Sequence, residues 1–495
     1  MVKLSKWLFL NSMKWGAAMK GVTKTKNKKN IAKKNKIGFT KSNNFFVRNK
    51  DLVKKIVFTL LVLVLIRLMT FITVPGIQLS DQFSQAVGNS EFFQLLSSLG
   101  GGGVGKFSII ALGVSPYITA SIIVQLLSTD VIPVLSRWTK SGERGRRKLD
   151  RLTKVISIPF ALMQSVATIF TLQGAIIPKW GSDATGTGPA WFYYVLVPTV
   201  MLGGTFLMLW ISDQITIKGI GNGVSLIIFT GIVANMPQNL ISTFHFYITG
   251  SEEASVMYDG ILKFTIYIAV FIFVIFFIVL TNEAERKVPI QQVGSGLASI
   301  KEHKPYLPLK LNNAGVIPVI FASAIISTPM TIAQIIGAKN ASNGFVLWTQ
   351  TYLSYSTWWG IGIYAVLTLL FTFLYAQVQL NPEKISENFQ KSGTFIPGIK
   401  PGKDTEKYLR GVINRLSVLG SVILTAIAVL PYIISKITDL PSSLAIGGTG
   451  IIICVSVAIQ TVQQLRGRLI QQEFIDKKAE KFETSSIDNA SSHIW

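Results

Sequence analysis

The chain has 495 residues, 49% of them hydrophobic, a mean hydropathy of +0.45 and a formal net charge of +24. Such a composition excludes an ordinary soluble domain and points to an integral membrane protein with anionic partners. One cysteine, Cys454, lies in an apolar run, and His245, His303 and His493 are scattered, so disulfides and a metal cluster are excluded.

Residues 1–52 form a basic, polar extension. Met1–Gly21 reads as an interfacial amphipathic helix anchored by Trp7, Leu8 and Trp15. Lys24–Lys36 carries only positive charge and reads as a solvated stretch suited to setting topology or to binding anionic lipid or ribosomal RNA. No apolar core followed by a cleavage site marks a signal peptide.

Ten segments then reach or approach the roughly 20 residues that a spanning helix needs. The first half, residues 53–250, offers Val53–Val74, Phe107–Thr129, Lys154–Ile177, Trp191–Ile211 and Gly219–Met236. The second half, residues 251–466, offers Leu262–Thr281, Gly315–Ile336, Trp358–Val378, Val412–Ile434 and Ile446–Leu465. Residues 467–495 form a tail.

The stretch Glu91–Gln125 is interrupted. Phe92–Leu99 is a short amphipathic piece, and Gly100, Gly101, Gly102, Gly103 and Gly105 then remove any helix preference. Phe107 resumes an apolar helix with Pro116 inside it. Hydrocarbon cannot satisfy the backbone groups of such a break, so the stretch faces protein or an aqueous path. It reads as a half-helix, a flexible hinge and a full helix.

Loop charges alternate along the chain. Arg137, Lys140, Arg144, Arg146, Arg147, Lys148, Arg151 and Lys154 crowd the second loop. Arg286, Lys287, Lys301, Lys304 and Lys310 occupy the sixth, and Lys384, Lys391, Lys400, Lys403, Lys407 and Arg410 the eighth. The odd loops hold few cations. The positive-inside rule therefore places both termini and all even loops in the cytoplasm. Arg67 is the one charge within a span interior, and it reads as a snorkelling or helix-end arginine.

The second and seventh spans occupy matching places in the two halves, and both are broken by glycine and proline: Gly100–Gly105 with Pro116, and Gly315 with Pro318 and Pro329. Paired breaks of this kind mark a functional path at a repeat interface, and an odd helix count per half gives inverted repeats. The fold class expected is all-α integral membrane, with ten helices in two inverted five-helix halves beside an aqueous path; the resemblance described below adds a central pore and a plug half-helix.

No catalytic constellation occupies the spans, so no enzyme activity and no cofactor are expected. Gly100-xxxx-Gly105-Lys106 nearly spells a phosphate loop, but Phe107 stands where Ser or Thr would hold Mg²⁺ and no strand precedes it. Lys218–Gly223 (KGIGNG) reads as a tight turn between helices.

Long motifs carry a family resemblance. They are Phe107–Leu127 (FSIIALGVSPYITASIIVQLL), Ser141–Lys154 (SGERGRRKLDRLTK), Ile211–Val233, Asn282–Gln291 (NEAERKVPIQ), Leu307–Ser323, Leu380–Leu409 and Gly447–Gln460. Through them the chain resembles the SecY family, the central channel subunits of the bacterial protein translocase.

The resemblance implies a protein-conducting channel that passes unfolded preproteins and releases apolar segments laterally into lipid. It implies a plug over about residues 91–105, including Phe92, Leu95, Leu99, Gly101 and Gly103. A pore ring maps to Val114, Ile118, Val224, Ile228, Ile320 and Ile453. A lateral gate maps to Thr119, Ile122 and Gln125 on one side and to Ala322 and Ile325 on the other. Arg286, Lys287, Lys400 and Lys403 map to the surface that docks the ribosome or the SecA motor ATPase.

Implied partners are the small subunits SecE and SecG, signal peptides and nascent chains, and anionic lipid, with YidC as a further candidate. The implied place is the cytoplasmic membrane of a bacterium. Three departures stand out: the long basic N-terminus, Val293–Gly296 (VGSG) in place of a basic run, and Lys400 in place of the arginine of the PGIRPG motif. An inverted-repeat solute transporter and an RNA-capturing membrane anchor are the alternative readings.

Overall fold

The structure is a computed structural model and describes residues 50–80, 83, 93, 96–97, 100, 103–128, 132–172, 176–178, 191–248, 254–292, 305–337, 342–437 and 448–492. The chain forms two compact units, Met1–Val53 and Lys54–Trp495. Of the first, Lys50–Val53 are described, and they are helical. The expected N-terminal amphipathic helix lies outside the described residues.

The helices in chain order are α1 (Lys50–Met69), α2 (Ser115–Ser128), α3 (Pro133–Lys140), α4 (Glu143–Thr171), α5 (Val197–Lys218), α6 (Gly223–Ile248) and α7 (Ala254–Glu283). They continue with α8 (Ile317–Gly337), α9 (Gly344–Tyr352), α10 (Trp358–Gln379), α11 (Pro382–Lys391), α12 (Lys403–Ile437) and α13 (Gly448–Ser492). Helix thus covers most of each of the ten expected segments. Among the described residues, seven helices are long and apolar enough to cross a membrane. The count is eight if α2 and α3, bent by 100° at their junction, form one broken span. In α1, every stretch of 18 residues contains Lys54, Lys55 and Arg67, and that charge keeps it out of the count.

Three short antiparallel ribbons join the helices. β1 (Ile77–Leu79) pairs with β2 (Ile176–Pro178), β3 (Glu285–Pro289) with β5 (Tyr306–Lys310), and β4 (Gln291–Gln292) with β6 (Thr394–Phe395). Two span ends are corrected by the first ribbon. The segments expected to run helical to Val74 and Ile177 stop at Met69 and Thr171; the chain turns after each helix and then pairs as strand at Ile77–Leu79 and Ile176–Pro178. At the other end of the chain, α13 runs without a break from the expected last span through the expected tail to Ser492.

The second span is corrected more deeply. Helix was expected from Phe107, but α2 begins only at Ser115. Residues 107–114 turn instead, with Phe107 at φ 45° and Gly113 at φ 54°. Their backbone is held by the chain after α1: Val74 N donates to Phe107 O, and Ile109 N to Ile72 O. Pro116 is therefore the second residue of a helix rather than an interior one, a place where its missing N–H costs nothing.

Two large apolar clusters fill the interior. One joins side chains of α2, α5, α6, α7, α8, α10, α12 and α13. The other gathers Val74, Ile77, Phe83, Phe93, Leu96, Val104, Phe107 and Leu112 against α4, α5 and the π-helical turn Phe192–Leu196. Burying each aliphatic or aromatic chain there contributes about 1.5–3 kcal/mol where the alternative is water.

Candidate functional site

The segment before α2 packs tightly. Phe93 and Leu96, and Phe83 before them, are buried with Val104, Phe107 and Leu112. The rings of Phe83 and Phe107 meet edge to face at 6.2 Å. Two glycines make this packing possible. A Cβ on Gly113 would stand 1.6 Å from the carbonyl oxygen of Gly100, and one on Gly204 of α5 would stand 2.0 Å from that of Ile109. Gly103, in the expected flexible hinge, also has close neighbours: a side chain there would meet Ser108 Oγ at 2.6 Å. Gly105 alone of these faces open space. Phe92, Leu95, Leu99 and Gly101 lie outside the described residues.

The six residues expected to form a ring belong to or pack against one large apolar cluster. Val114, Ile118, Ile228 and Ile453 are buried within it, and Val224 and Ile320 pack against it half-buried. Three of the helices that carry them start near these residues. Val114 directly precedes α2, Val224 is the second residue of α6, and Ile320 is in the first turn of α8. The same cluster also takes in Ile66, Met208 and Tyr364, so the six belong to a larger apolar core.

α8 packs on both α2 and α4, which forms a seam. Of the expected gate residues on these helices, Thr119 and Ile122 of α2 and Ala322 of α8 are buried, Ile325 is half-buried, and Gln125 is exposed, with Nε2 donating to Ser121 Oγ at 3.0 Å. The seam also has a polar crossing that the sequence did not reveal: Thr171 Oγ1 of α4 donates to Gln334 Oε1 of α8 at 3.0 Å.

A family model described as SecY matches residues 108–462. The chain belongs to the SecY family. It is 68% identical over 455 residues to a protein of Mycoplasma capricolum named protein translocase subunit SecY, covering 91% of this chain and 94% of that one. Its fold is similar to a solved structure of a protein-conducting channel, with a TM-score of 0.59, 20% identity, and coverage of 84% of this chain and 93% of the other. It is also similar to a structure reporting on the plug domain of a SecY protein, with a TM-score of 0.57, 19% identity, and coverage of 84% and 92%.

In this SecY-family chain the sixth and eighth loops are one structure. β4 pairs with β6, and Val288 and Leu309 share a small core with Ile396, Leu409, Val412 and Ile413. Arg286, Lys287, Lys400 and Lys403 are exposed on it. Lys287 has its ammonium 3.6 Å from Glu285 and 4.9 Å from the Tyr306 ring. Lys400 sits in a non-helical loop: Gly398 and Gly402 take positive φ, and Thr405 Oγ1 donates to the Lys400 carbonyl at 2.9 Å. Val293–Gly296 lies outside the described residues.

Other polar contacts came without a clear sequence signal. Lys154 is expected as a cation where the second loop meets the third span. Its ammonium bridges Asp150 and Asp213, each at 2.8 Å, and Tyr117 Oη donates to Asp150 at 3.0 Å, so α2, α4 and α5 are tied together. Only the sequence spacing of four between Asp150 and Lys154 hinted at part of it. The KGIGNG turn stands as expected between α5 and α6, and Ile220 N donates to Thr59 Oγ1 at 3.0 Å. Arg67 falls in the last turn of α1, as its helix-end reading expected.

Proposed function

We propose that this chain is the protein-conducting channel of a Sec translocase, in the cytoplasmic membrane of a bacterium with both termini in the cytoplasm. Unfolded preproteins pass through the centre, and apolar segments leave sideways along the α2/α4–α8 seam. It performs no covalent chemistry. In this reading the halves 53–250 and 251–466 enclose the pore and cross the membrane ten times, and residues 1–52 and 467–495 are cytoplasmic extensions. Residues 91–105 are the plug. Thr119, Ile122, Gln125, Ala322 and Ile325 line the exit, and the exposed cations at Arg286, Lys287, Lys400 and Lys403 dock SecA or the ribosome. SecE, SecG, YidC, signal peptides, nascent chains and anionic lipid complete the set of partners.

What supports this reading is that Val114, Ile118, Val224, Ile228, Ile320 and Ile453 all belong to or pack against one apolar cluster, while the glycine-seated segment before α2 is buried in another. A narrow aliphatic collar holds no stable water column and blocks ions by dewetting. It also offers no specific hydrogen bonds, so diverse side chains can pass. A solute transporter would need a polar, substrate-shaped site at that depth, and these six side chains cannot supply one.

The test is ion leak through purified channels in a planar bilayer, with the plug deleted from parent and variant alike. Ile118→Ser, Val224→Ser and Ile320→Ser combined are expected to raise the leak, and Leu at the same positions is expected to keep the seal. Equal leak from the Ser variant and its parent would remove these residues from the gate.

A further inference from the structure

We propose that α9 is an interfacial helix that seats an aromatic stripe among lipid headgroups and fixes the depth of the helices around it. The inference goes beyond the channel reading and rests on membrane embedding alone.

The sequence of α9, GFVLWTQTY, contains no charged residue. It lies between α8 and α10, both apolar and long enough to cross a membrane, so it sits where those helices leave the bilayer. α8 starts beside the β3–β5 ribbon and ends at α9, which puts α9 on the face opposite that ribbon. Asn343 caps its start, its Oδ1 accepting from Phe345 N at 3.0 Å.

Two stripes run along this short helix. Val346 and Thr349 are buried and Leu353 continues the line, so this side holds α9 to the protein; a Cβ on Gly337 at the end of α8 would lie 3.4 Å from Val346. Phe345, Trp348 and Tyr352 are exposed on the other side. Their rings form a ladder that reaches Trp359 of α10, with centroid spacings of 6.3, 6.0 and 6.3 Å. Trp348 is 48% exposed and Trp359 is 67% exposed.

A cation sets the depth of this ladder. Lys436, one residue from the end of α12, places its ammonium 5.0 Å from the Trp358 ring and donates to the Ser356 carbonyl. An ammonium stays out of hydrocarbon, whereas Trp and Tyr rings favour the headgroup zone, where one edge is apolar and the other wet. A ladder that ends on Trp359, beside a cation held by its neighbour Trp358, fits the membrane–water boundary and fits neither hydrocarbon nor bulk water. With no charge on α9, the attraction is to the interface itself rather than to anionic headgroups.

The test uses the full chain with Cys454→Ala and Trp348→Cys, labelled with an environment-sensitive fluorophore and reconstituted in mixed phosphatidylcholine and phosphatidylglycerol vesicles. Phe345→Cys on the same stripe serves if the first variant does not fold. Lipids carrying a nitroxide near the headgroup are expected to quench at least twofold more than lipids carrying it mid-chain. Aqueous iodide should quench weakly, and changing the phosphatidylglycerol fraction should leave the pattern unchanged. Strong iodide quenching without lipid quenching would put α9 in water. Protection from both quenchers would mean a protein covers it, such as a second copy of this chain. Dominant mid-chain quenching would bury it in hydrocarbon, and dependence on phosphatidylglycerol would make it an anion site; each of these results overturns the proposal.

Discussion

Ahead of α2 the chain turns through Phe107–Val114, and ahead of α8 it turns through Leu311–Val316. Each helix then carries proline as its second residue, Pro116 and Pro318. Each turn uses a glycine at positive φ, Gly113 at 54° and Gly315 at 66°. The surroundings differ. Gly113 is pressed against the backbone of Gly100, whereas a Cβ on Gly315 would meet only the Gln460 amide, at 3.5 Å. One glycine serves both space and conformation, and the other serves conformation alone. The matching breaks in the two halves share a backbone solution without sharing a packing role: the first seats a segment, and the second only redirects a helix.

That contrast can be broken most sharply at Gly113. Gly113→Ala forces Gly100 to move and also strains φ, so a loss of roughly 3 kcal/mol or more is expected from overpacking and left-handed backbone together. Thermal unfolding in detergent should show a clear drop in Tm, and bilayer recordings should show extra ion leak. An unchanged Tm would mean that the contact with Gly100 is not formed. Gly315→Ala carries only the conformational cost, about 1–2 kcal/mol. Asn tolerates this backbone better, so Gly315→Asn should restore most of the loss while Gly113→Asn should restore none. Equal rescue at both sites would erase the difference between the two turns.

The smaller effects lie away from the breaks. Lys154→Met leaves Asp150 and Asp213 without their shared cation; both carboxylates are partly exposed, so the expected cost is about 1 kcal/mol or less. Its Tm shift should shrink in high salt, and a salt-independent shift would point to lost packing instead. Lys400→Glu should change stability by less than about 0.5 kcal/mol, because the side chain is exposed and no ion pair holds it among the described residues. Export driven by SecA or the ribosome should nevertheless fall. Full export with the reversed charge would remove Lys400 from the docking surface.

The long helices were legible because their apolar runs and basic loops are long signals; α10 lies where hydropathy put it, whereas α12 starts at Lys403 rather than Val412, so that Lys403, Lys407 and Arg410, expected in the loop, are helical. The start of α2 was not legible. Phe107–Val114 is as apolar as any helix here, and what stops it is a contact made by Gly113 and a pairing with residues 72–74, neither of which is local in sequence. The β1–β2 ribbon joins residues about a hundred positions apart, and its three-residue strands carry no pattern long enough to read. The ring residues share one cluster, but their spacing of four set only which helix face they share. The aromatic character of α9 was visible as letters, while its stacking order depends on rotamers and on the neighbouring helix.

The two-residue pairing of β4 with β6 has a mechanical consequence. Gln291–Gln292 follows α7, and Thr394–Phe395 precedes α12, so the ribbon ties together the neighbouring ends of two separate long helices. The shared core of Val288, Leu309, Ile396 and Leu409 stiffens that tie. A load applied at either loop is therefore divided between α7 and α12 before it reaches the bilayer.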